Sequence, residues 1–377
     1  MISKVARAAS ALATRKISFD LDLIPLCFES VPLKKIVNWI LTEGSVTFKP
    51  AQPWGFPTVL QVEPTSRCNL ECKVCPVAGG LGRPAGNMDL RMFRRIVDEL
   101  GDYLLLMMFW DWGEPFLNPD SCEMIRYARG AGIKVVCSTN GHVFADAGHA
   151  RRVVESGLDV LVFSVDGVTQ ETYQRYRSKG KLDSVLAGIR NVVAEKRRLG
   201  SATPLVNLRF IAMRHNEHEI PKVEDLARSL GVDVMTLRKF HAVPGTGREG
   251  AECGEAMAPG QSRFRLPAVE DEVGPVRAIH NPCKNLWNCP TVHWDGAVVS
   301  CFMDFNERHP LGHLATQSFR QIWRGEAYAG LRRAFRDGWK ELPLCGVCGS
   351  GFEGGDIGRE SNAEAIFLQT PARGGAR

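Results

Sequence analysis

The chain has 377 residues, of which 44% are hydrophobic and 24% are charged, a balance that indicates a globular protein with a large domain and a second module. The net charge of +5 suits an anionic substrate or a membrane surface but is too small to indicate nucleic-acid binding, so we expect no nucleic-acid partner. No run of about 18 apolar residues occurs, and the sequence therefore predicts no transmembrane helix.

The N-terminal region, residues 1–55, is expected to form a helical extension. Residues 33–41 carry apolar side chains at helical spacing. The first sixteen residues contain four basic residues and no acidic one, and their apolar run is too short for a secretory signal. We interpret this segment as a surface helix. A transit peptide, or an interfacial helix in peripheral contact with a membrane, is the alternative.

From about Thr58 the pattern changes to apolar runs that alternate with amphipathic segments. The predicted strands cover 58–62, 104–110, 133–138, 158–166, 206–213 and 232–239, and the predicted helices cover 89–100, 120–130, 146–156, 169–176, 183–198 and 219–230. Apolar strands separated by helices predict a parallel sheet covered by helices, here a partial (β/α)6 TIM-type barrel. The chemistry of such barrels lies at the carboxyl ends of the strands.

The remaining sequence divides the chain further. The expected domains are the extension 1–55, the barrel 56–240, a linker 241–282, a small C-terminal α+β module 283–352 and a tail 353–377. The linker is rich in Gly, Pro and charge, and its G-x-G-x-x-G run at 245–250 precedes no convincing helix, so we interpret this run as a turn. The tail is expected to be disordered from about Thr370.

Three cysteines, Cys68, Cys72 and Cys75, lie within eight residues just after the first predicted barrel strand. Thiolates are the ligands of iron–sulfur clusters, and three of them leave one iron of a four-iron cluster open. A structural zinc site would require four closed ligands. The chain has twelve cysteines at uneven spacing and no secretion signal, which indicates metal ligation in a reducing compartment and a cytoplasmic location.

The C-x3-C-x-Φ-C spacing, with Val74 as the apolar residue and Asn69-Leu70 after the first cysteine, resembles the radical S-adenosylmethionine (SAM) superfamily from about residue 58 to 350. The resemblance implies that SAM chelates the open iron of a [4Fe-4S] cluster. It further implies that an electron, from a reductant such as flavodoxin or ferredoxin, cleaves SAM to a 5′-deoxyadenosyl radical, which abstracts hydrogen from the substrate.

Other strand ends also match the family's SAM-binding pattern. The turn Trp112-Gly113-Glu114-Pro115 is similar to the family's G-G-E-P turn, which contacts the amino group of SAM, although Trp112 replaces the first glycine. Arg177 resembles the arginine that pairs with the SAM carboxylate, and Asp166 is expected to face ribose or substrate. The residues expected to contact SAM are Val74, Gly113, Glu114, Asn140, Ser164 and Arg177.

A second cysteine group comprises Cys283, Cys301, Cys345 and Cys348. The segment between them, 311–335, resembles the family's SPASM and twitch modules. No cysteine follows Cys348, so we expect one auxiliary [4Fe-4S] cluster, as in the twitch type. A zinc ribbon with four cysteine ligands is the alternative.

Candidates for the chemistry on the substrate follow from their expected positions at the barrel mouth. Cys253 and Cys289 would overhang it and are candidate hydrogen donors, and Cys289 is also a candidate cluster ligand. His215 and His241 follow the fifth and sixth strands, where a base would lie. The polar residues expected to meet the substrate are Asp166, Arg209, His215, Arg238 and His241.

The cysteine spacing resembles that of twitch-type aminocyclitol dehydrogenases. This resemblance implies oxidation of a small polar molecule such as a sugar or an aminocyclitol. A radical epimerase with a cysteine hydrogen donor, a peptide maturase and a lipid-modifying enzyme are the alternatives. A non-catalytic cluster carrier is disfavoured because the SAM motifs are present at several strand ends.

Overall fold

The computed structural model of the protein describes residues 2–240, 247–264, 283–346, 348 and 363–369. Its N-terminal segment consists of α1 (Ile2–Thr14), β1 (Ile17–Leu21), β2 (Ile24–Phe28) and α2 (Leu33–Phe48). Both predicted helices are present. The antiparallel β1–β2 hairpin between them was not predicted.

The central domain alternates strands and helices as the sequence predicts. Its strands are β3 (Val59–Val62), β4 (Leu106–Met108), β5 (Lys134–Thr139), β6 (Val160–Ser164), β7 (Leu205–Ala212) and β8 (Val234–Lys239). Its helices are α3 (Leu90–Leu100), α4 (Ser121–Gly130), α5 (Ala147–Glu155), α6 (Gln170–Tyr176), α7 (Leu182–Arg198) and α8 (Ile220–Leu230). The six strands pair in parallel in chain order, which is the predicted partial barrel.

Local sequence explains where the helices begin. Asp89 and Asp146 accept hydrogen bonds from backbone N–H groups in the first turns of α3 and α5, which the helices leave without internal partners. The strands between the helices are almost continuously apolar because both faces of a parallel sheet are covered. One face of the strands packs against the helices in the main core.

The inner face of the barrel is covered by the N-terminal hairpin. Alternate strand residues, including Val59, Val136 and Val160, pack against the hairpin in a second core that also contains Leu26. The hairpin therefore fills the interior of the barrel beneath the carboxyl ends of the strands. A barrel of this kind is a packed core and not a pore, and here an N-terminal element completes the packing.

The C-terminal part completes the sheet. It contains α9 (Gly247–Met257), α10 (Asn285–Asn288), β9 (Thr291–Val292), β10 (Ala297–Val299), β11 (Gly312–His313), α11 (Phe319–Trp323), α12 (Glu326–Gly338) and β12 (Ala363–Phe367), and the order of the large sheet is β11-β10-β9-β3-β4-β5-β6-β7-β8-β12. Short 3-10 turns cover Pro115–Leu117, His142–Ala145, Glu217–Glu219, Ser262–Phe264 and Trp339–Glu341.

One expectation about the C-terminal half is wrong. The G-x-G-x-x-G run at 245–250 is expected to precede no convincing helix, but α9 begins inside it, at Gly247. The tail contributes β12, which pairs antiparallel with β8 and so extends the sheet at the edge next to β8. Residues beyond 369 lie outside the described residues. Among the described helices, none is both long and apolar enough to cross a bilayer.

Candidate active site at the carboxyl ends of the barrel strands

The cysteine loop follows the carboxyl end of β3 and carries Cys68, Cys72 and Cys75. Its backbone is hydrogen-bonded to the end of α6 and the residues just after it. The N–H groups of Glu71 and Lys73 donate to the carbonyls of Ser178 and Tyr176 at 3.1 Å each. Val74 adopts a left-handed conformation with φ of 58°, which turns the chain between the last two cysteines.

The three thiols influence one another, which shows that the loop brings them together. Burial raises the pKa of Cys68 to about 12, and the neighbouring Cys72 and Cys75 contribute in the same direction. Burial, and then the nearby Cys72, raises the pKa of Cys75 to about 11. Neighbouring thiols that disfavour one another's ionisation are stabilised as thiolates by a metal centre. This donor set fits an iron–sulfur cluster.

Glu114 anchors the turn after β4 to the end of β5. The residue is 2% exposed, and its carboxylate accepts hydrogen bonds from the Thr139 hydroxyl and the Asn140 backbone N–H, each at 2.7 Å. Burial raises the pKa of Glu114 to about 7, against the lowering effect of those bonds. A buried carboxylate of this kind is suited to receive an ammonium group.

The same turn packs tightly on the cysteine loop. A Cβ atom at Gly113 would lie 2.0 Å from the carbonyl oxygen of Thr65, so only glycine fits there. The Asn140 side chain donates to the Asn69 side-chain oxygen at 2.7 Å and lies 3.9 Å from the Cys68 sulfur. The ends of β3, β4 and β5 thus form one surface.

Arg177 lies between the cysteine loop and β6. Its Nη1 is 3.7 Å from the Cys72 sulfur, and its Nε donates to Asp166 at 2.6 Å. Asp166 also accepts from the backbone N–H of Ile211 at 2.8 Å and is fully buried. The described contacts of Asp166 therefore orient Arg177, whereas the sequence suggested that Asp166 faces ribose or substrate.

The remaining strand-end candidates are divided between the described and undescribed parts of the chain. Ser164 ends β6 and is buried. His215 follows β7, and its buried Nε2 has no hydrogen-bond partner among the described residues. Burial lowers the pKa of His215, which keeps the imidazole neutral. His241 lies outside the described residues.

Arg209 and Arg238, which were expected to meet substrate, both contact a residue that the sequence analysis missed. Asp22, in the turn of the N-terminal hairpin, forms ion pairs with Arg209 and, at 3.0 Å, with Nη1 of Arg238. The signal was available, since the alternating runs ISFDL and IPLCF flank a two-residue turn. Asp22 and Leu23 both have positive φ, a conformation for which Asp-Leu is an unusual pair.

The two candidate hydrogen donors occupy different places. Cys253, on α9, is half-buried and packs in a small apolar cluster with Val74 and Tyr176, beside the cysteine loop. Cys289 is buried in the core formed with the N-terminal hairpin. It precedes Thr291, which pairs with Gln61 of β3, so Cys289 is level with the amino end of that strand. The expectation that Cys289 overhangs the barrel mouth is wrong.

The second cysteine group is also brought together. Burial raises the pKa of Cys301, and the nearby Cys283, Cys348 and Cys345 raise it further. A set of four half-buried thiols that are close to one another fits a fully ligated cluster. Within the part of the chain that the structure describes, no three His, Cys, Asp or Glu side chains converge closely enough to share a single metal ion.

The two thiol sets are connected through Trp112, the residue that departs from the family's glycine. Its Nε1–H donates to the carbonyl of Phe302, next to Cys301, at 2.9 Å. Its ring packs against Phe302 and Phe305 at centroid distances of 6.1 and 5.9 Å. The turn that carries Glu114 therefore contacts the loop that carries Cys301.

A buried ionic network, also missed from the sequence, joins the same two regions. His293 of the β9–β10 hairpin contacts Glu307 at 2.8 Å and Asp111, at the end of β4, at 3.5 Å. Arg83, which follows the cysteine loop, pairs with Glu63 at 2.5 Å and Glu307 at 3.5 Å. Because these charges lie far apart in sequence and are each common on surfaces, only the fold identifies them as one network.

Comparison with known proteins agrees with this geometry. The family model of the radical SAM superfamily matches residues 62–227, and that of the SPASM iron–sulfur cluster-binding domain matches residues 283–349. The AdoMet-dependent heme synthase of Methanosarcina barkeri is 30% identical over 78% of this chain and 88% of its own length. The chain belongs to the radical SAM superfamily. The Fe-coproporphyrin III synthase of the same organism is 31% identical, over 89% of this chain and 88% of its own length.

Two further proteins match most of this chain. The mycofactocin maturase MftC of Mycobacterium ulcerans is 27% identical over 78% of this chain and 80% of its own length. The crystal structure of Streptococcus suis SuiB bound to precursor peptide SuiA matches with a TM-score of 0.59 at 13% identity, over 88% of this chain and 78% of that chain. At this identity the likeness shows the shared fold alone.

The cofactors of the superfamily are SAM and [4Fe-4S] clusters, and the residues described above fit both. When bound, the reduced cluster supplies the electron that cleaves SAM to a radical able to abstract hydrogen. This chain's own residues form the surroundings of the cysteine loop. Glu114 and Arg177 carry opposite charges there, and the absence of a Cβ at Gly113 leaves room for the backbone of Thr65.

Proposed function

We propose that the protein is a radical SAM oxidoreductase that oxidises a small polar molecule, such as a sugar or an aminocyclitol. In this proposal Cys68, Cys72 and Cys75 hold the SAM-binding cluster, and Val74, Gly113, Glu114, Asn140, Ser164 and Arg177 line the SAM site. The second thiol set, Cys283, Cys301, Cys345 and Cys348, holds one auxiliary cluster. The protein works in the cytoplasm with a flavodoxin or ferredoxin as reductant.

The observation that carries this proposal is the contact of Trp112 with the loop of Cys301. Oxidation of a C–H centre first removes one hydrogen atom from the substrate. It then removes one proton and one electron from the radical that remains. The hydrogen atom passes to the SAM-derived radical, the proton to a base, and the electron to an acceptor that the second thiol set would hold. His215, with its half-buried imidazole and unpartnered Nε2 among the described residues, is our candidate base.

The charged residues beneath the barrel mouth favour a polar substrate. Arg238 pairs in register with Ile211, whose N–H donates to Asp166, so all three lie in one layer near the cysteine loop. The Arg238 side chain pairs with Asp22 and is 27% exposed, so a charged group borders the mouth.

The test is an anaerobic assay with SAM, a reductant and a panel of sugars and aminocyclitols, read by mass spectrometry. We expect 5′-deoxyadenosine together with a product lighter by two hydrogens. Cys301→Ala should still release 5′-deoxyadenosine but lose the oxidised product, and Cys122→Ala, a half-buried cysteine elsewhere, is the control. Oxidised product formed at the parental rate by Cys301→Ala would contradict the role of the second thiol set.

Epimerisation is the second candidate, because Cys253 and Val74 of the cysteine loop pack against the same small apolar cluster. A thiol there would return a hydrogen atom to the substrate radical, so the product would keep its mass and gain deuterium in deuterated water. Loss of that labelled product in Cys253→Ala would establish epimerisation in place of oxidation. Modification of a peptide is a further alternative, supported by the similarity to mycofactocin maturase.

A further inference from the structure

Exposed large hydrophobic side chains are concentrated in one region of the described chain. Seven of the nine lie within the first 54 residues, namely Val5, Leu12, Leu33, Val37, Leu41, Phe48 and Trp54, and the other two are Leu199 and Phe367. Single exposed apolar residues are ordinary, but a contiguous group marks an interaction surface. We call these seven residues the N-terminal patch.

The patch is built on two packed helices. The Lys4 ammonium of α1 donates to the Thr47 hydroxyl near the end of α2 at 2.9 Å, and the N–H of Val31, before α2, donates to the Arg15 carbonyl, after α1, at 2.9 Å. The two helices are therefore antiparallel neighbours. Ala11 of α1 and Ile36 of α2 are buried in the core beneath them.

The exposed apolar residues follow helical spacing. Leu33, Val37 and Leu41 recur every fourth residue of α2 and are 50%, 43% and 39% exposed. Phe48 continues this side of the helix and packs against Trp54 at a centroid distance of 5.5 Å. An amphipathic helix pair that already buries one side has no folding reason to keep a second apolar side in water.

The patch lies at the end of the barrel opposite to the active site. On α2, Lys35 donates to the carbonyl of Gly132 at 2.9 Å, and Asn38 donates to the carbonyl of Phe56 at 3.0 Å. Gly132 and Phe56 precede β5 and β3, so α2 covers the amino ends of the strands. The carboxyl ends, with the cysteine loop, remain open on the other side.

The charges around the patch favour an anionic partner. Residues 1–55 contain seven basic and four acidic residues, and of these Lys35 and Asp22 are buried. The helix α1 contains no acidic residue. Three acidic residues, Glu29, Glu43 and Asp102, pair with Lys16, Lys4 and Lys34. Leaving out Lys35 and Asp22, residues 1–55 carry six basic and three acidic residues.

We propose that the N-terminal patch binds the surface of an anionic lipid bilayer. Apolar side chains flanked by Lys and Arg, with an exposed Trp, are the combination by which amphipathic helices lie in the membrane interface. Bound in this way, the protein rests on the bilayer with the amino ends of its barrel strands, and the active site faces the aqueous phase. This proposal is independent of the substrate and of the oxidation chemistry.

The test measures cosedimentation of the cluster-loaded protein with vesicles made of equal parts phosphatidylcholine and phosphatidylglycerol. We expect binding to these vesicles, weaker binding to pure phosphatidylcholine, and weaker binding in high salt because salt screens the basic residues. Val37→Ser with Leu41→Ser should lower the partition coefficient about tenfold, since both side chains would lose their burial in the interface.

Leu199→Ser with Phe367→Ser is the matched control, because those side chains are 38% and 40% exposed but lie outside the patch. The control should bind vesicles as the parent does. Both double variants should release 5′-deoxyadenosine at the parental rate, which shows that they are folded. The proposal would be overturned if the parent protein did not bind the vesicles, or if the patch variant bound them as well as the parent does. A parental dimer in light scattering that the patch variant loses, without vesicle binding, would assign the patch to a second copy instead.

Discussion

Replacing Asp22 by Asn is the sharpest test of how the N-terminal hairpin is held in the barrel. The Asp22 side chain is 4% exposed and pairs with Arg209, 10% exposed, and Arg238, 27% exposed. Burial alone would raise the pKa of Asp22, but Arg209 and Arg238 outweigh it and hold the pKa below the ordinary aspartate value. Asparagine keeps the side-chain shape and tolerates the positive φ of the turn, so the substitution removes little besides the charge.

The expected loss is about 3 kcal/mol of unfolding free energy. Removing one partner of a buried ion pair costs roughly 3–5 kcal/mol because the other charge stays buried. We take the lower end, since the Arg238 side chain is 27% exposed and its charge stays partly hydrated. The pH dependence has a definite sign. The contribution of Asp22 to the unfolding free energy is complete above the unfolded aspartate pKa of about 3.9. It is lost as pH falls through the lower pKa of Asp22 in the folded protein.

The assay is urea unfolding at neutral pH under anaerobic conditions, where a loss of this size shifts the midpoint by on the order of 1 M. Asp20→Asn, on the same hairpin but half exposed, is the control and should leave the midpoint unchanged. An Asp22→Asn midpoint equal to that of Asp20→Asn would refute the reasoning.

Three further predictions concern the cofactor sites. Anaerobically loaded protein should hold about eight irons, and changing all three thiols of the cysteine loop to Ala should leave about four; zinc at the second site would contradict this. SAM should bind more tightly as pH rises through about 7, where Glu114 ionises, while the stability of the SAM-free protein falls over the same range. Glu114→Gln should remove this pH dependence of binding, and its persistence would exclude Glu114 as the cause. Gly113→Ala should weaken SAM binding and cost about 1–3 kcal/mol, whereas Gly130→Ala, where a Cβ meets nothing within 4 Å, should be harmless; equal behaviour of the two would contradict the packing argument.

Local sequence was sufficient for much of the barrel. The period of the apolar residues reports which faces are buried, and for this reason the six strands and the helices between them lie where they were predicted. The cysteine loop was equally readable, because cluster ligands on one loop must be close in sequence. Glu114 and Asn140 were found because the turns that carry them resemble the family's SAM-binding pattern. They meet because the residues after parallel strands lie at one edge of the sheet.

The sequence was less informative where contacts join distant segments. Asp22 and Arg209 are separated by 187 positions, and Trp112 meets Phe302 across 190. Cys253 and Cys289 looked equivalent along the chain, but one packs at the mouth and the other in the opposite part of the barrel. Neither residue has a local pattern that distinguishes these environments.

The sequence by itself therefore determined the fold class, the radical SAM family and the two cysteine groups, because each rests on short-range periodicity or spacing. Only the tertiary structure decided that a hairpin fills the barrel, that Asp166 orients Arg177, and that the tail adds a strand. These features depend on side chains and strand edges whose partners are supplied by remote parts of the chain. The partners meet only when folding brings remote segments together, and no local signal in the sequence records that contact.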